Sequence, residues 1–213
     1  MNLTSDKSPV LVLAPHTDDG EFGCGGTIHK LNQAGREVYY AAFSACKQSV
    51  QPEFEEDVLI KEVKQATRIL GIPSNRLILF DYEVRTFNYH RQEILENLIA
   101  LREKIQPSLV LMPSLNDIHQ DHKTIAEEGL RAFKFCSILC YEMPWNNLNF
   151  VTSGFIKLSE EDIQKKIQAL GIYKSQSHRQ YANADFIRSL AITRGVQIHT
   201  KYAETFEVLR SVG

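Results

Sequence analysis

VLVLAPHTDDGEFGCGGT, residues 10–27, decides how this chain is read. The apolar run at 10–14 shows no polar alternation, so it predicts a strand buried on both faces. Polar residues and glycines follow at once. From residue 24 the pattern predicts an amphipathic helix to 34, with Gly35 placed to close it. The same rhythm continues downstream. EVYYAAF (37–43), RLILF (76–80), SLVLM (108–112) and SILCYE (137–142) read as further strands, separated by helices expected over 53–70, 90–104 and 122–134. Gly71 and Pro73 stop the first of these helices, and Pro113 ends the fourth strand. Continuous apolar strands alternating with helices predict an α/β, Rossmann-like three-layer sandwich with a mostly parallel sheet. After Pro144 a strand is expected near 152–158 and helices near 160–170 and 183–195, followed by YAETFEVLR. No linker or internal repeat interrupts the sequence, so one domain over 1–213 is expected.

Composition narrows the classes of function. Hydrophobic residues make up 43% of the 213 and charged residues 23%, and 24 basic against 26 acidic side chains leave a formal net charge of -2. With no basic run, bulk attraction to a phosphate backbone is weak, so no nucleic-acid partner is expected. The apolar runs fall far short of the roughly 20 residues that span a bilayer, so no membrane span is expected either. The opening MNLTSDKSPV lacks the charged-then-apolar order of a signal peptide, which makes the protein cytoplasmic by expectation. Cys24, Cys46, Cys136 and Cys140 are too few and too scattered for a disulfide framework and read as buried reduced thiols.

Two polar clusters carry the chemistry. His16, Asp18 and Asp19 follow the first strand at its carboxyl end, where open α/β sheets place ligands. A histidine and a carboxylate three positions apart on a turn can converge on one cation, and Asp18 then points elsewhere, free to handle a proton. The bland alternative is that the two aspartates cap the next helix and favour its positive end. Two nucleotide motifs fail here. A G-x-G-x-x-G read from Gly23 and Gly25 meets Ile28 at its last position, and Gly26 is followed by Thr27 where a phosphate loop requires lysine. The second cluster, PSLNDIHQDH (113–122), follows the fourth strand and holds Asp117, His119, Asp121 and His122. Parallel strands emerge on one side, so both clusters can face one crevice. His16, Asp19 and His122 then supply two nitrogens and one oxygen, the count of a catalytic zinc site with a position left for water.

HTDDGEFGCGGT together with HQDH resembles the PIG-L/LmbE family of zinc-dependent N-acetylglucosaminyl deacetylases, which carry A-H-P-D-D and H-P-D-H motifs. The resemblance extends to ILG at 69–71, YKSQ at 173–176 and RG followed by YAETF near the C-terminus. It implies hydrolysis of the N-acetyl group of an acetamido sugar, free or conjugated to a lipid, nucleotide or antibiotic scaffold. It further implies His16, Asp19 and His122 as ligands of Zn2+, with Fe2+ fitting the same set, and Asp18 as general base. His119 becomes the second acid/base or oxyanion-stabilising group. Asp121, hydrogen-bonded to His119, is expected to raise its pKa and fix its tautomer.

The sequence departs from the family at Thr17 and Gln120, where prolines stand, and at Asp117, where some members have tyrosine. It also departs at Ile60, Lys61 and Glu62, near which several members carry a substrate-binding arginine. Substrate contacts must therefore come from elsewhere. Arg85, among the aromatics of DYEVRTFNYHRQEIL (81–95), is the preferred anion contact. Trp145, in MPWNNLNF, suits a sugar-binding rim. His178, Arg179 and Arg188 carry no local mark that separates them from surface charges, and Glu21 receives no chemistry. Another zinc-dependent amide or ester hydrolase and a noncatalytic sugar-binding protein are the alternatives, and assembly into a homo-oligomer is left open.

Overall fold

The computed structural model describes residues 6–212, so the first five residues of the opening stretch lie outside the described residues. Strand β1 (Val10–His16) is the hub of the sheet, and its consecutive apolar residues serve both faces. Val10, Val12 and Ala14 join one buried cluster, and Leu11 and Leu13 the other. This period-2 division explains the absence of polar alternation. Around β1 lie β2 (Val38–Ser44), β3 (Leu77–Leu79), β4 (Leu109–Pro113), β5 (Ser137–Tyr141), β6 (Gly154–Leu158) and β7 (Tyr202–Arg210). The strand order is β3-β2-β1-β4-β5-β7-β6. The first five strands run parallel, while β7 pairs antiparallel with both β5 and β6. The C-terminal YAETFEVLR is thus a strand inserted beside β5.

One face carries α1 (Asp19–Gln33), α2 (Val58–Ile69), α5 (Glu160–Leu170) and α6 (Ala184–Val196), and the other carries α3 (Arg91–Ile105) and α4 (Gln120–Ala132). This is the expected α/β three-layer architecture. Gly35 (φ 78°) and Gly71 (φ 90°) occupy the left-handed stops expected after α1 and α2. A capping box of Ser159 and Asp162 opens α5. The four cysteines are buried and unpaired. Among the described residues, no helix is long and apolar enough to cross a membrane.

Two element boundaries differ from expectation. Helix α1 starts at Asp19, five residues early, and runs through the glycine-rich stretch with one non-helical residue at Cys24 (φ -147°). Those glycines provide clearance for packing. A Cβ on Gly20 would lie 2.5 Å from the Tyr40 ring, and one on Gly23 would lie 2.3 Å from that of Tyr141. Helix α2 begins only at Val58, after Asp57 at its N-cap and a turn closed by the Val58 N–H on the Glu55 carbonyl.

The strand order reverses between β1 and β4, which pair from Val10↔Leu109 to Val12↔Leu111. From β1 the chain passes outward to β2 and from β4 to β5, so a crevice opens beyond their carboxyl ends. His16 ends β1, and residues 114–122 leave β4 into α4.

Candidate active site

Both clusters meet in that crevice. Asp19 Oδ2 lies 3.1 Å from His16 Nδ1 and 3.1 Å from His122 Nε2, and the two nitrogens are 3.3 Å apart. The opposite nitrogen of each imidazole is held by a carboxylate. His16 Nε2 lies 3.0 Å from Asp121 Oδ2, and His122 Nδ1 lies 2.8 Å from Asp117 Oδ2. When each outer nitrogen carries the proton it donates to its carboxylate, the two inner nitrogens present lone pairs to each other and to Asp19. Such a triangle of donors is repulsive until a cation or shared protons fill it.

The donor set also fits a cation by size. Ligands about 2.1 Å from a tetrahedral ion stand roughly 3.4 Å apart, close to the triangle described here. Without a cation the cluster keeps protons. Burial opposes charge on His122, but Asp19 and Asp117 outweigh it and raise its pKa to about 10. Burial likewise opposes charge on His16, whose pKa is nevertheless raised by Asp19 and Asp121. Asp19 is held well below the usual carboxylate range because the two imidazoles overcome its burial. His119 stands beside this triangle. Ligand atoms of His16, His119 and His122 all lie within 4.8 Å of one another, so His119 also lies within reach of an ion.

Asp18, at the N-cap of α1, is buried and lines the cavity above the triangle. Burial and the adjacent Asp19 raise its pKa, against the pull of the Arg179 guanidinium. A carboxylate so destabilised takes up a proton more readily than a surface aspartate. Its loop is braced from below by Glu21. Tyr173 Oη lies 2.8 Å from Glu21 Oε1 and 2.8 Å from the Thr17 carbonyl, and Tyr40 Oη contacts Glu21 Oε2 and the same carbonyl.

The expected pairing of Asp121 with His119 is corrected. The Asp121 carboxylate faces His16 and accepts the Arg85 N–H at 2.7 Å, while only the Asp121 backbone N–H reaches His119, at Nδ1 (3.2 Å). Burial, His122 and His16 lower the His119 pKa to about 4 rather than raising it. The ring is therefore neutral near pH 7. With Nδ1 accepting, its proton lies on Nε2, an assignment made from the hydrogen-bond network.

A cavity of about 160 Å³, open to solvent, surrounds these groups. Arg85 and Trp145 both line it. Arg85 sits at φ 72° with its backbone tied to Asp121 and its Nη2 3.2 Å from Ser49 Oγ. Trp145 stacks on Tyr181 with ring centroids 3.8 Å apart and planes 6° from parallel, and the edge of Phe22 meets both rings. Gln176, Arg179 and Tyr181 also line the cavity. They arrive on a segment that Glu62 anchors by accepting from the Ser175 N–H (3.1 Å) and hydroxyl (2.6 Å). Sequence reading mentioned Arg179 without a reason to prefer it and missed Gln176 and Tyr181. The only sequence signal near them was YKSQ. Arg188 instead pairs with Glu160, and His178 meets Gln51.

The family described as "PIG-L: GlcNAc-PI de-N-acetylase" matches residues 11–133, more than half of the chain. The chain is 26% identical over 203 residues to the diacetylchitobiose deacetylase of Thermococcus kodakarensis, covering 92% of this chain and 70% of the relative. It shares its fold with the N,N'-diacetylchitobiose deacetylase of Pyrococcus horikoshii (TM-score 0.82, 22% identity, covering 98% of this chain and 86% of that one). A similar likeness links it to GalB, the 4-carboxy-2-hydroxymuconate hydratase of Pseudomonas putida KT2440 (TM-score 0.77, 19% identity, covering 97% and 98%). The fold by itself therefore does not select a reaction.

Proposed function

Because the chain belongs to the PIG-L family, we propose that it is a metal-dependent N-deacetylase that releases acetate from an acetamido sugar or sugar conjugate. The observation that carries this reading is the Asp19, His16 and His122 triangle, its donor atoms 3.1 to 3.3 Å apart, with buried Asp18 beside it. Those three residues would hold a divalent ion, zinc or ferrous iron, with Asp121 and Asp117 orienting the imidazoles. Bound there, the ion would polarise the acetamide carbonyl and acidify water.

Asp18 takes the proton of the attacking water as the C–O bond forms, and the same proton passes to the departing amine when the C–N bond then breaks. His119, neutral and carrying its proton on Nε2, donates a hydrogen bond to the carbonyl oxygen as charge develops there. This is the oxyanion-stabilising member of the two roles expected for it. The aromatic wall of Trp145, Tyr181 and Phe22 offers flat apolar surface to a pyranose ring. A cytoplasmic setting agrees with four unpaired cysteines.

The test is acetate release from N-acetylglucosamine and its glycosides by zinc- or iron-loaded protein, with O-acetyl esters as controls. Asp18→Asn should keep stoichiometric metal and lose at least about 100-fold in kcat, a typical general-base contribution. His122→Ala should lose both metal and turnover. Equal metal loss in the two variants overturns the roles given to Asp18 and His122, and faster cleavage of the esters overturns the amide reading.

A further inference from the structure

Two arginines line the cavity, and neither forms an ion pair among the described residues, although the charge of Arg179 acts on buried Asp18. Arg76, Arg91, Arg188 and Arg194 each pair with a glutamate. Among the described residues no carboxylate lies within 4.0 Å of the Arg85 or Arg179 guanidinium, so Asp18 stands beyond ion-pair distance from Arg179. Each engages one internal acceptor, Ser49 Oγ for Arg85 and the Tyr181 hydroxyl for Arg179, and most of each donor fork is left over.

The two side chains belong to one arc. The turn at Lys47–Ser49 contacts Arg85 through Ser49, and two residues later Gln51 Nε2 lies 2.9 Å from His178 Nδ1, beside Arg179. Both ends are fixed. The Arg85 backbone is held in the left-handed region by its hydrogen bond to Asp121, and the Arg179 segment is anchored through Ser175 to buried Glu62. A residue with a side chain held at positive φ stores strain that surrounding contacts must sustain, and such strain concentrates at functional sites. A third group on this wall is also incomplete. Gln176 is 4% exposed, and its Oε1 is buried without a hydrogen-bond partner. A buried acceptor in that state is costly until a ligand donor fills it.

We infer that the substrate carries an oxyanion, a phosphate or a carboxylate, beyond its acetamido sugar, held by Arg85 and Arg179, with Gln176 accepting from a neighbouring hydroxyl. Planar guanidinium forks match both oxyanions bidentately. The inference rests on the deacetylase reading for the identity of the sugar, and on the two guanidiniums for the charge. It separates this chain's substrate from neutral chitooligosaccharides.

Three ligands test it with the metal-loaded protein: N-acetylglucosamine 1-phosphate, the carboxymethyl glycoside and the methyl glycoside of N-acetylglucosamine. Calorimetric affinity and acetate release are measured for each. At least one anionic ligand should exceed the methyl glycoside about tenfold in both affinity and kcat/KM, mainly through KM, and the better of the two identifies the oxyanion. Arg85→Gln and Arg179→Gln should each collapse that ratio, with lysine at either position restoring part of it. A methyl glycoside bound and cleaved as well as both anions, or a ratio unmoved by the glutamine variants, overturns the inference. Arginine-dependent binding of an anionic ligand without acetate release from any ligand would leave the anion site standing and remove the deacetylase reading. Absence of binding by any of the three removes the inference outright.

Discussion

Glu21→Gln should change the pH dependence of stability, with a sign opposite to that of carboxylates held ionised by ion pairs in the folded state. Glu21 is fully buried, and its two oxygens meet the hydroxyls of Tyr40 and Tyr173, which also both reach the Thr17 carbonyl. Two phenol protons cannot serve four contacts, and a protonated carboxyl supplies a third. Burial, opposed by the phenol hydrogen bonds, raises the Glu21 pKa from 4.5 to about 8. Between those values the native state keeps a proton that the unfolded chain releases, so stability falls as pH rises and levels off above the folded pKa. From near pH 5.5 to near pH 8.5 the added cost is roughly 3 kcal/mol at about 1.4 kcal/mol per unit. Glutamine does not ionise. The variant should therefore gain roughly 3 kcal/mol on the wild type over that interval, whatever offset its altered hydrogen bonds impose at the acid end. Urea unfolding of both proteins in chelator at the two pH values measures the difference, with m checked for constancy. A stability gap that does not change with pH refutes the protonated, buried carboxyl and with it the proton count at Thr17.

Gly23→Ala should lower stability by about 1–3 kcal/mol, read as a fall in melting temperature, because the added methyl meets the Tyr141 ring at 2.3 Å in a packed core. An unchanged melting temperature would mean that α1 has room to move off the sheet. Asp117→Asn removes the charge facing His122 Nδ1 at 2.8 Å and should weaken divalent-metal affinity about 10–100-fold in a competition titration with a chelating dye. Affinity within a factor of two of the wild type would show that the orientation of His122 does not depend on that carboxylate.

What the sequence disclosed and what it concealed divide along the distance over which each feature is determined. The strands β1, β2, β4 and β5 announce themselves because each is a run of apolar residues long enough to cross a sheet buried on both faces. Once a parallel sheet is accepted, the ends of β1 and β4 must open on one crevice, which brings His16 and Asp19 to the cluster at 117–122; the choice of His122 over His119 as ligand came from the family resemblance. The glycines at 20 and 23 carry no local sign of their purpose, which is set by Tyr40 and Tyr141, and these approach only after folding. Gln176, Arg179 and Tyr181 were hidden for the same reason, since Glu62 fixes their segment from 113 positions away in the chain. The Asp121 error has a different source. Residues two apart at the start of a helix project in different directions, so adjacency in HQDH argues against contact between the side chains of His119 and Asp121. In α4 the turn sends the carboxylate across the crevice to His16, and His119 is left with a backbone N–H as its partner. A backbone donor fixes the tautomer of an imidazole without adding negative charge beside it. Burial and the neighbouring His122 and His16 keep His119 neutral, the backbone N–H sets its tautomer, and the oxyanion role assigned to it needs no carboxylate partner.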